Sequence, residues 1–314
     1  MPQPGLREVE HEITIAAPAD AIYRLIAEVD NWPRIFPPTI YVDHLERGER
    51  HERIRIWATA NGAAKTWTSR RTLDPGNKRI TFRQEVSAPP VAAMGGDWII
   101  EARPDGQSRV RLLHDYRAIG DDPGSLEWID AAVDRNSRAE LAALKANVEQ
   151  AHVAADLAFS FCDTVTVNGS ATDVYDFINE AGSWRERLPH VSAVRLEEPN
   201  PGLQVLEMDT RASDGSTHTT KSFRVCFPRQ RIVYKQVTLP ALMTLHTGYW
   251  QFEERAGGVL ATSQHTVVLN TQNIARVLGE DATVAQARDY VRNALSTNSR
   301  ATLGHAKDYA ERQY

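Results

Sequence analysis

Two short strings in this sequence place a hydroxyl and a guanidinium two residues apart: Ser69 and Arg71 in KTWTSRRTLDP, and Ser222 and Arg224 in HTTKSFRVCF. On a β-strand that spacing puts both groups on one face. Trp67 joins the first pair there and Thr220 the second, while Thr68 and Arg70 are expected to point away. A guanidinium stays protonated and only donates hydrogen bonds. Aimed at a carbonyl, it stabilises the oxyanion that develops there, and the hydroxyl can orient or relay a proton. An isolated strand arginine is more often an ion-pair partner on a solvated face, and recurrence at matching positions weighs against that reading. His190 and His246 occur only in the second half. A near-neutral imidazole could protonate a leaving hydroxyl, although a lone histidine is more often structural.

Other chemistries lack their motifs. There is no glycine-rich phosphate loop, nucleophile elbow, His-Glu-x-x-His or cysteine cluster, so neither a metal nor a nucleotide cofactor is expected. A formal charge of −5 and a pI near 6.1 carry no basic excess for a phosphate backbone, which excludes nucleic acid as a partner. Cys162 and Cys226 are too few for a disulfide framework. The polar opening MPQPGLREVEHE and the lack of a long apolar run predict a cytoplasmic protein with no membrane partner. With 42% hydrophobic and 25% charged residues, 314 residues are ordinary for two globular domains.

The chain repeats itself. Tyr23 in DAIYRLIAEVDNW answers Tyr175 in TDVYDFINEAGSW, and Trp32, Pro37 and Trp98 answer Trp184, Pro189 and Trp250 at one constant separation. Ser69, Arg71 and Gln84 match Ser222, Arg224 and Gln236. Late in each half, VDRNSRAEL and LSTNSRATL set Asn136 opposite Asn298 and Arg138 opposite Arg300, with extra residues before the last helix of the second half. The repeat implies a duplicated fold with its junction near residues 152–160, giving domains 1–154 and 155–314.

Within one repeat the elements follow in a fixed order. His11–Ile15 alternates as a half-buried strand, and Pro18 and Asp20 open a short helix. Asp163–Val167 and a helix from about Thr172 repeat this. Residues 40–118 hold β-rich runs separated by Asn-Gly, Asp-Pro-Gly and Pro-Asp-Gly turns, which read as an antiparallel meander. From Ser125 to about His152, Ile129, Val133, Leu141, Leu144 and Val148 share a helical face. The class is therefore α+β: two tandem helix-grip domains, each a curved antiparallel sheet around a long C-terminal helix that encloses a pocket. Asn136 interrupts the apolar stripe of the first closing helix, and Asn298 that of the second. The turn that each occupies is expected to face a wet or ligand-filled cavity, or else to bond the sheet backbone.

NWPRIFP, TWTSRRTLDP, the Trp98 strand and DRNSR resemble motifs of the aromatase/cyclases of bacterial type II polyketide synthases, in the START/Bet v1-like helix-grip superfamily. The tandem arrangement is similar to the family's didomain members. The resemblance implies a pocket that takes a poly-β-ketone on an acyl carrier protein, closes the first ring by an aldol reaction, and promotes the water losses that leave it aromatic. Didomain members imply closure between C7 and C12 of a chain reduced at C9, with a ketoreductase and the minimal polyketide synthase acting upstream and no cofactor. Arg71, Ser69, Arg224 and Ser222 are then the catalytic candidates. Trp32, Phe36, Trp67, Met94, Trp98 and Asn136 are expected to bind substrate in the first domain, and Trp184, His190, His246 and Asn298 in the second. Pro38-Thr39 stand where some relatives carry a tyrosine, so no tyrosine is assigned.

A non-catalytic carrier of lipids or other small molecules is the competing reading, because the same cavity serves both purposes. A purely hydrophobic pocket favours the carrier. The Ser-x-Arg strand and the helix asparagine in both halves favour chemistry on an oxygen-rich ligand. The remaining possibility confines the reaction to the first domain and makes the second a supporting copy.

Overall fold

The alternating run near the start forms β1 (Arg7–Ile15), longer than the five residues expected because it pairs with β7 (Ser108–Ala118) from Arg7 opposite Tyr116 to Ile15 opposite Ser108. In this computed structural model, residues 5–149, 156–211, 215 and 217–313 are described, and the chain divides into two compact units, Met1–His152 and Val153–Tyr314.

The first unit adds β2 (Thr39–Arg47), β3 (His51–Ala60), β4 (Ala63–Asp74), β5 (Arg79–Val86) and β6 (Val91–Ala102), giving a seven-stranded sheet in the order β1-β7-β6-β5-β4-β3-β2. Asn61 (φ 49°) and Gly62 (φ 79°) make the two-residue turn between β3 and β4, where both residues need positive φ. Helix α1 (Ala19–Ala27) follows Pro18 at its N-cap, and α2 (Trp32–Ile35) follows a 3-10 turn. The closing helix α3 (Pro123–Glu149) starts two residues before the expected Ser125. The Asp122 carboxylate accepts the Ser125 N–H at 2.7 Å and secures that first turn. Its expected end near His152 lies outside the described residues.

The second unit repeats this plan with β8 (Ala158–Val167), β9 (Val191–Asn200), β10 (Leu203–Arg211), β11 (Thr217–Phe227), β12 (Arg231–Thr238), β13 (Met243–Arg255) and β14 (Gly258–Leu269), in the order β8-β14-β13-β12-β11-β10-β9. Helix α4 (Ala171–Asn179) is capped by Ser170, whose hydroxyl accepts the Asp173 N–H. After α5 (Trp184–Arg187), the extra residues of this half form α6 (Ile274–Leu278) ahead of the closing helix α7 (Val284–Gln313). Among the described residues no helix is long and apolar enough to cross a membrane.

The outer face of the first sheet carries ion pairs, including Arg53 and Arg70 with Glu85, and Arg79 with Asp97. Arg70 points there as expected. Thr68 does not stay exposed beside it: it is 4% exposed, at a register shift where β5 places Val86 opposite Thr68 and Gln84 opposite Ser69. On the inner face, Ile15, Ile22, Phe36, Ile80, Leu112 and Leu144 belong to one buried cluster, and Tyr116, Ala118, Ile129 and Val133 to another. Each fully buried large apolar side chain contributes about 1.5–3 kcal/mol. Between these clusters along α3 stand Asn136, Ser137 and Glu140, and the interior at this level is polar.

Candidate active site

Arg71 does not lie on a solvated face. It is 1% exposed, with Nη2 donating to the carbonyl of Ile26 at 2.8 Å and Nη1 to that of Ala27 at 3.3 Å and to Glu52 Oε1 at 2.5 Å. The guanidinium also lies 5.0 Å from the centre of the Trp32 ring. It therefore sits at the C-terminal end of α1, where free carbonyls favour a cation. Burial lowers its pKa to about 10, so it stays charged at neutral pH. Arg224 repeats the contact, with Nη2 donating to Ile178 at 2.6 Å and the Trp184 ring at 5.4 Å. Gln204 stands opposite it where Glu52 stands opposite Arg71, and the buried Arg224 Nη1 has no partner.

Deeper in the first domain, Ser69 pairs with Gln84 across β4 and β5, and Gly96 lies between Phe82 and His114 on its two neighbouring strands. A Cβ on Gly96 would stand 2.9 Å from the Phe82 ring, so the glycine lets that ring reach His114, edge to face at 5.4 Å. Gln84 Nε2 donates to Met94 Sδ at 3.4 Å. Gln84 Oε1, His114 Nδ1 and His11 Nδ1 are buried without hydrogen-bond partners. Burial, aided by the charge that His11 can carry, pushes His114 down to about 4, so its imidazole is neutral at physiological pH. On α3, Glu140 lies on the inward stripe between Val133 and Leu144. It is surrounded by protein yet keeps accessible surface, and burial alone pushes its carboxyl up to about 8. Burial thus favours the neutral form of both groups, an imidazole that can accept a proton and a carboxyl that can donate one. Asn136 Nδ2 donates to the Thr59 carbonyl at 2.9 Å, the sheet-backbone bond that sequence left open.

In the second domain the matching positions close on one another. Tyr234, Gln236, His246 and His265 stand where Phe82, Gln84, Met94 and His114 stand, with Gly248 in the place of Gly96. His246 Nδ1 lies 2.9 Å from Gln236 Oε1, and its Nε2 lies 3.0 Å from His265 Nδ1. Tyr234 Oη is 2.9 Å from the same His265 nitrogen, and Ser263 Oγ is 3.2 Å from His265 Nε2. Thr302 takes the place of Glu140 and donates to the Asn298 carbonyl.

Two pieces of the chain, residues 7–149 and 158–311, match the family described as polyketide cyclase / dehydrase and lipid transport. The granaticin polyketide synthase bifunctional cyclase/dehydratase of Streptomyces virginiae is 58% identical over 94% of this chain and 97% of its own length. The chain belongs to this family, as one of its didomain aromatase/cyclases. The actinorhodin polyketide synthase bifunctional cyclase/dehydratase of Streptomyces coelicolor is 46% identical over 98% of both chains. Among solved structures, the di-domain ARO/CYC BexL from the BE-7585A biosynthetic pathway is 68% identical with a TM-score of 0.86, covering 97% of this chain and 99% of that one. The steffimycin-pathway di-domain ARO/CYC StfQ has a TM-score of 0.85 at 34% identity, with the same coverage.

For a didomain aromatase/cyclase, the other sequence candidates fall in distinct places. Trp98 is 4% exposed in the core and stacks on Phe36 at 6.0 Å, while Trp32 anchors α2 by donating to the Ile26 carbonyl. Trp67 is half-buried at the edge of a cluster with Ile54 and Ile56. Trp184 is buried and donates to Phe177, and His190 is half-buried, its pKa lowered by burial and by His305. Ser222 is half-buried beside Gln236, and Asn298 is half-buried on α7. Arg138 pairs with Asp134 on the helix surface. Sequence reasoning missed His114, Glu140, Tyr234 and His265. The signals were present: His114 alternates with Leu112 and Tyr116 along β7, and Glu140 falls on the helical stripe with Val133 and Leu144.

Proposed function

We propose that this chain is a cofactor-independent polyketide aromatase/cyclase that works on a poly-β-ketone held on an acyl carrier protein and carries out its acid–base chemistry inside the first domain. One observation carries the reading: His114 Nδ1 and Gln84 Oε1 are buried without partners in the first domain, with a neutral-held Glu140 on the inward face of α3. Unpaired buried polar atoms cost free energy until a ligand or water meets them, and a polyketone supplies oxygens along its whole length. A simple carrier of apolar molecules has no use for these unpaired polar groups.

Neutral His114 takes a proton from a methylene flanked by two carbonyls. The enolate carbon attacks a ketone further along the folded chain, the carbon–carbon bond forms, and the ketone oxygen takes the proton of Glu140 to become a hydroxyl. Transfer of the proton from the imidazolium to the carboxylate restores both groups. Loss of a second α-proton and departure of the new hydroxyl, protonated as water, leaves a double bond; on a chain reduced at C9 the C9 hydroxyl leaves as a second water with a neighbouring proton, and enolisation of the remaining ring ketone completes the aromatic ring. No oxidant or reductant is consumed. Closure between C7 and C12 of a chain reduced at C9 by a ketoreductase is part of the same proposal and rests on the didomain resemblance. In this reading Arg71 acts by holding α1 and α2, and with them Trp32 and Phe36, against the sheet. Ser69 lines the wall beside Gln84, and Ser222 and Arg224 keep the matching framework of the second domain.

The test is reconstitution with a minimal polyketide synthase and its ketoreductase, with products compared by mass spectrometry and ultraviolet absorbance. The full chain should convert spontaneous shunt products into one with an aromatic first ring, and His114→Ala should return the shunt products. An unchanged profile on adding the wild-type chain would favour the carrier reading.

A further inference from the structure

We infer that Phe82 and Met94 are activity-determining residues of the first domain: standing where the second domain has Tyr234 and His246, they leave His114 Nδ1 with no protein hydrogen bond to compete with substrate, whereas the second domain's imidazoles are occupied by each other. The inference rests on the proposed role of His114 and adds the residues that keep it free.

The second-domain network can be followed proton by proton. Glutamine oxygen only accepts, so with Gln236 Oε1 as its neighbour at 2.9 Å, His246 Nδ1 carries the hydrogen. A neutral His246 then accepts at Nε2, and His265 Nδ1, 3.0 Å away, is the donor. His265 Nε2 is left as an acceptor, and Ser263 Oγ–H at 3.2 Å fills it. One proton per ring satisfies every ring nitrogen in the chain. The Tyr234 hydroxyl lies 2.9 Å from His265 Nδ1 and 3.4 Å from both His246 Nε2 and the Gln264 carbonyl, which closes the approach to the shared nitrogen. Both imidazoles are neutral in this arrangement, in keeping with burial pushing His246 to about 3 and His265 to about 4. Substrate would have to break this network to reach either ring.

The first domain keeps the scaffold and removes the partners. The glutamine is retained, but Gln84 meets a thioether at 3.4 Å in place of an imidazole, and its oxygen is left unpaired. The ring in the place of Tyr234 is a phenylalanine, which lies against His114 at 5.4 Å with no hydroxyl to offer. The nitrogen that in His265 meets two partners is in His114 buried and unpartnered. Two apolar side chains therefore separate a reactive imidazole from a structural one.

The experiment grafts the second domain's partners into the first. In the full-length chain, Phe82→Tyr with Met94→His should cut aromatised product about a hundredfold or more, the scale of a lost acid–base group, while circular dichroism and melting stay close to wild type. In nitrogen-15 spectra, the His114 ring should move from an unbonded to a hydrogen-bonded nitrogen in the double variant. Product retained in the double variant, while His114→Ala abolishes it, would overturn this inference and leave the proposed function standing. Product retained in both would overturn the proposed function itself. Should the double variant fail to fold, the reciprocal Tyr234→Phe with His246→Met decides: His265 Nδ1 should take the unbonded shift, and an unchanged spectrum overturns the inference.

Discussion

Glu52 Oε1 accepts a hydrogen bond from Arg71 Nη1 at 2.5 Å with both side chains almost wholly buried, whereas Arg224 faces Gln204, which has no charge to offer. In the first domain, charge balance and the end of α1 are therefore settled by one pair. Removing one member of a buried pair leaves the other uncompensated, which costs about 3–5 kcal/mol. Arg71→Ala is expected to lose stability on this scale. Glu52→Gln, which imitates the second domain, should lose less, because a glutamine oxygen still accepts. Urea unfolding of the two variants checks the order. If Arg71→Ala lost all product with wild-type unfolding, the guanidinium would act on substrate and not as a clamp.

The opposed shifts of His114 and Glu140 set a pH window. Activity requires the imidazole neutral and the carboxyl protonated, so the rate should hold between about 4 and about 8 and fall on either side. Glu140→Gln should lower the rate and remove the alkaline limb. The folded pKa of Glu140 is raised above 4.5, so its favourable contribution is complete below that value and declines as pH rises toward about 8. The glutamine variant should therefore be more stable than wild type by a few kcal/mol at pH 8 and by much less at pH 4. Equal stability of the two at both pH values would show that the carboxyl ionises freely and is no acid reserve.

Gly96 shows why a strand glycine can be fixed by packing. A Cβ there would meet the Leu113 carbonyl oxygen at 1.8 Å, in backbone that cannot yield, and would also press on Phe82. Gly96→Ala should cost about 1–3 kcal/mol or more. Gly124→Ala, where the nearest atom is a flexible Asp122 oxygen at 3.6 Å, should be neutral or stabilising at the start of α3. Thermal melts of both variants give the comparison.

How much of this was legible follows from which signals are periodic. The duplication, the meander and the closing helices could be read because Trp32 and Trp184, Trp98 and Trp250, and the apolar stripe of α3 recur at fixed spacing. Strand period also put Arg71 on the inner face. It could not say that Arg71 would meet Glu52 and the end of α1, because those partners come from other elements and the contacts depend on closure of the fold. Thr68 is buried beside a register shift against β5 that no alternation pattern encodes. His114 and Glu140 were passed over because each sits inside an otherwise apolar pattern, where one polar residue resembles noise until its lack of a partner is visible.

The histidine network gives the second domain its own acid sensitivity. Burial holds His246 at about 3 and His265 at about 4, both below the ordinary 6.5. The native state therefore refuses protons that the unfolded chain accepts. Stability from this source is complete above about 6.5 and is lost as pH falls toward 4, amounting to a few kcal/mol over the window. A proton added to His246 goes to Nε2 and leaves two N–H groups facing each other across the contact with His265 Nδ1, so that form cannot keep the bond, while one added to His265 goes to Nε2 and turns the Ser263 hydroxyl from donor to acceptor. Replacing the cluster by apolar side chains, with Tyr234→Phe, His246→Met and His265→Leu together, should flatten the loss of second-domain stability between pH 7 and pH 5. Urea unfolding at the two values, followed by hydrogen exchange of β13 and β14 amides, measures it. A triple variant that loses stability on acidification as steeply as wild type would place the sensitivity elsewhere and mean that the two imidazoles take up protons in the native fold as readily as in the unfolded chain.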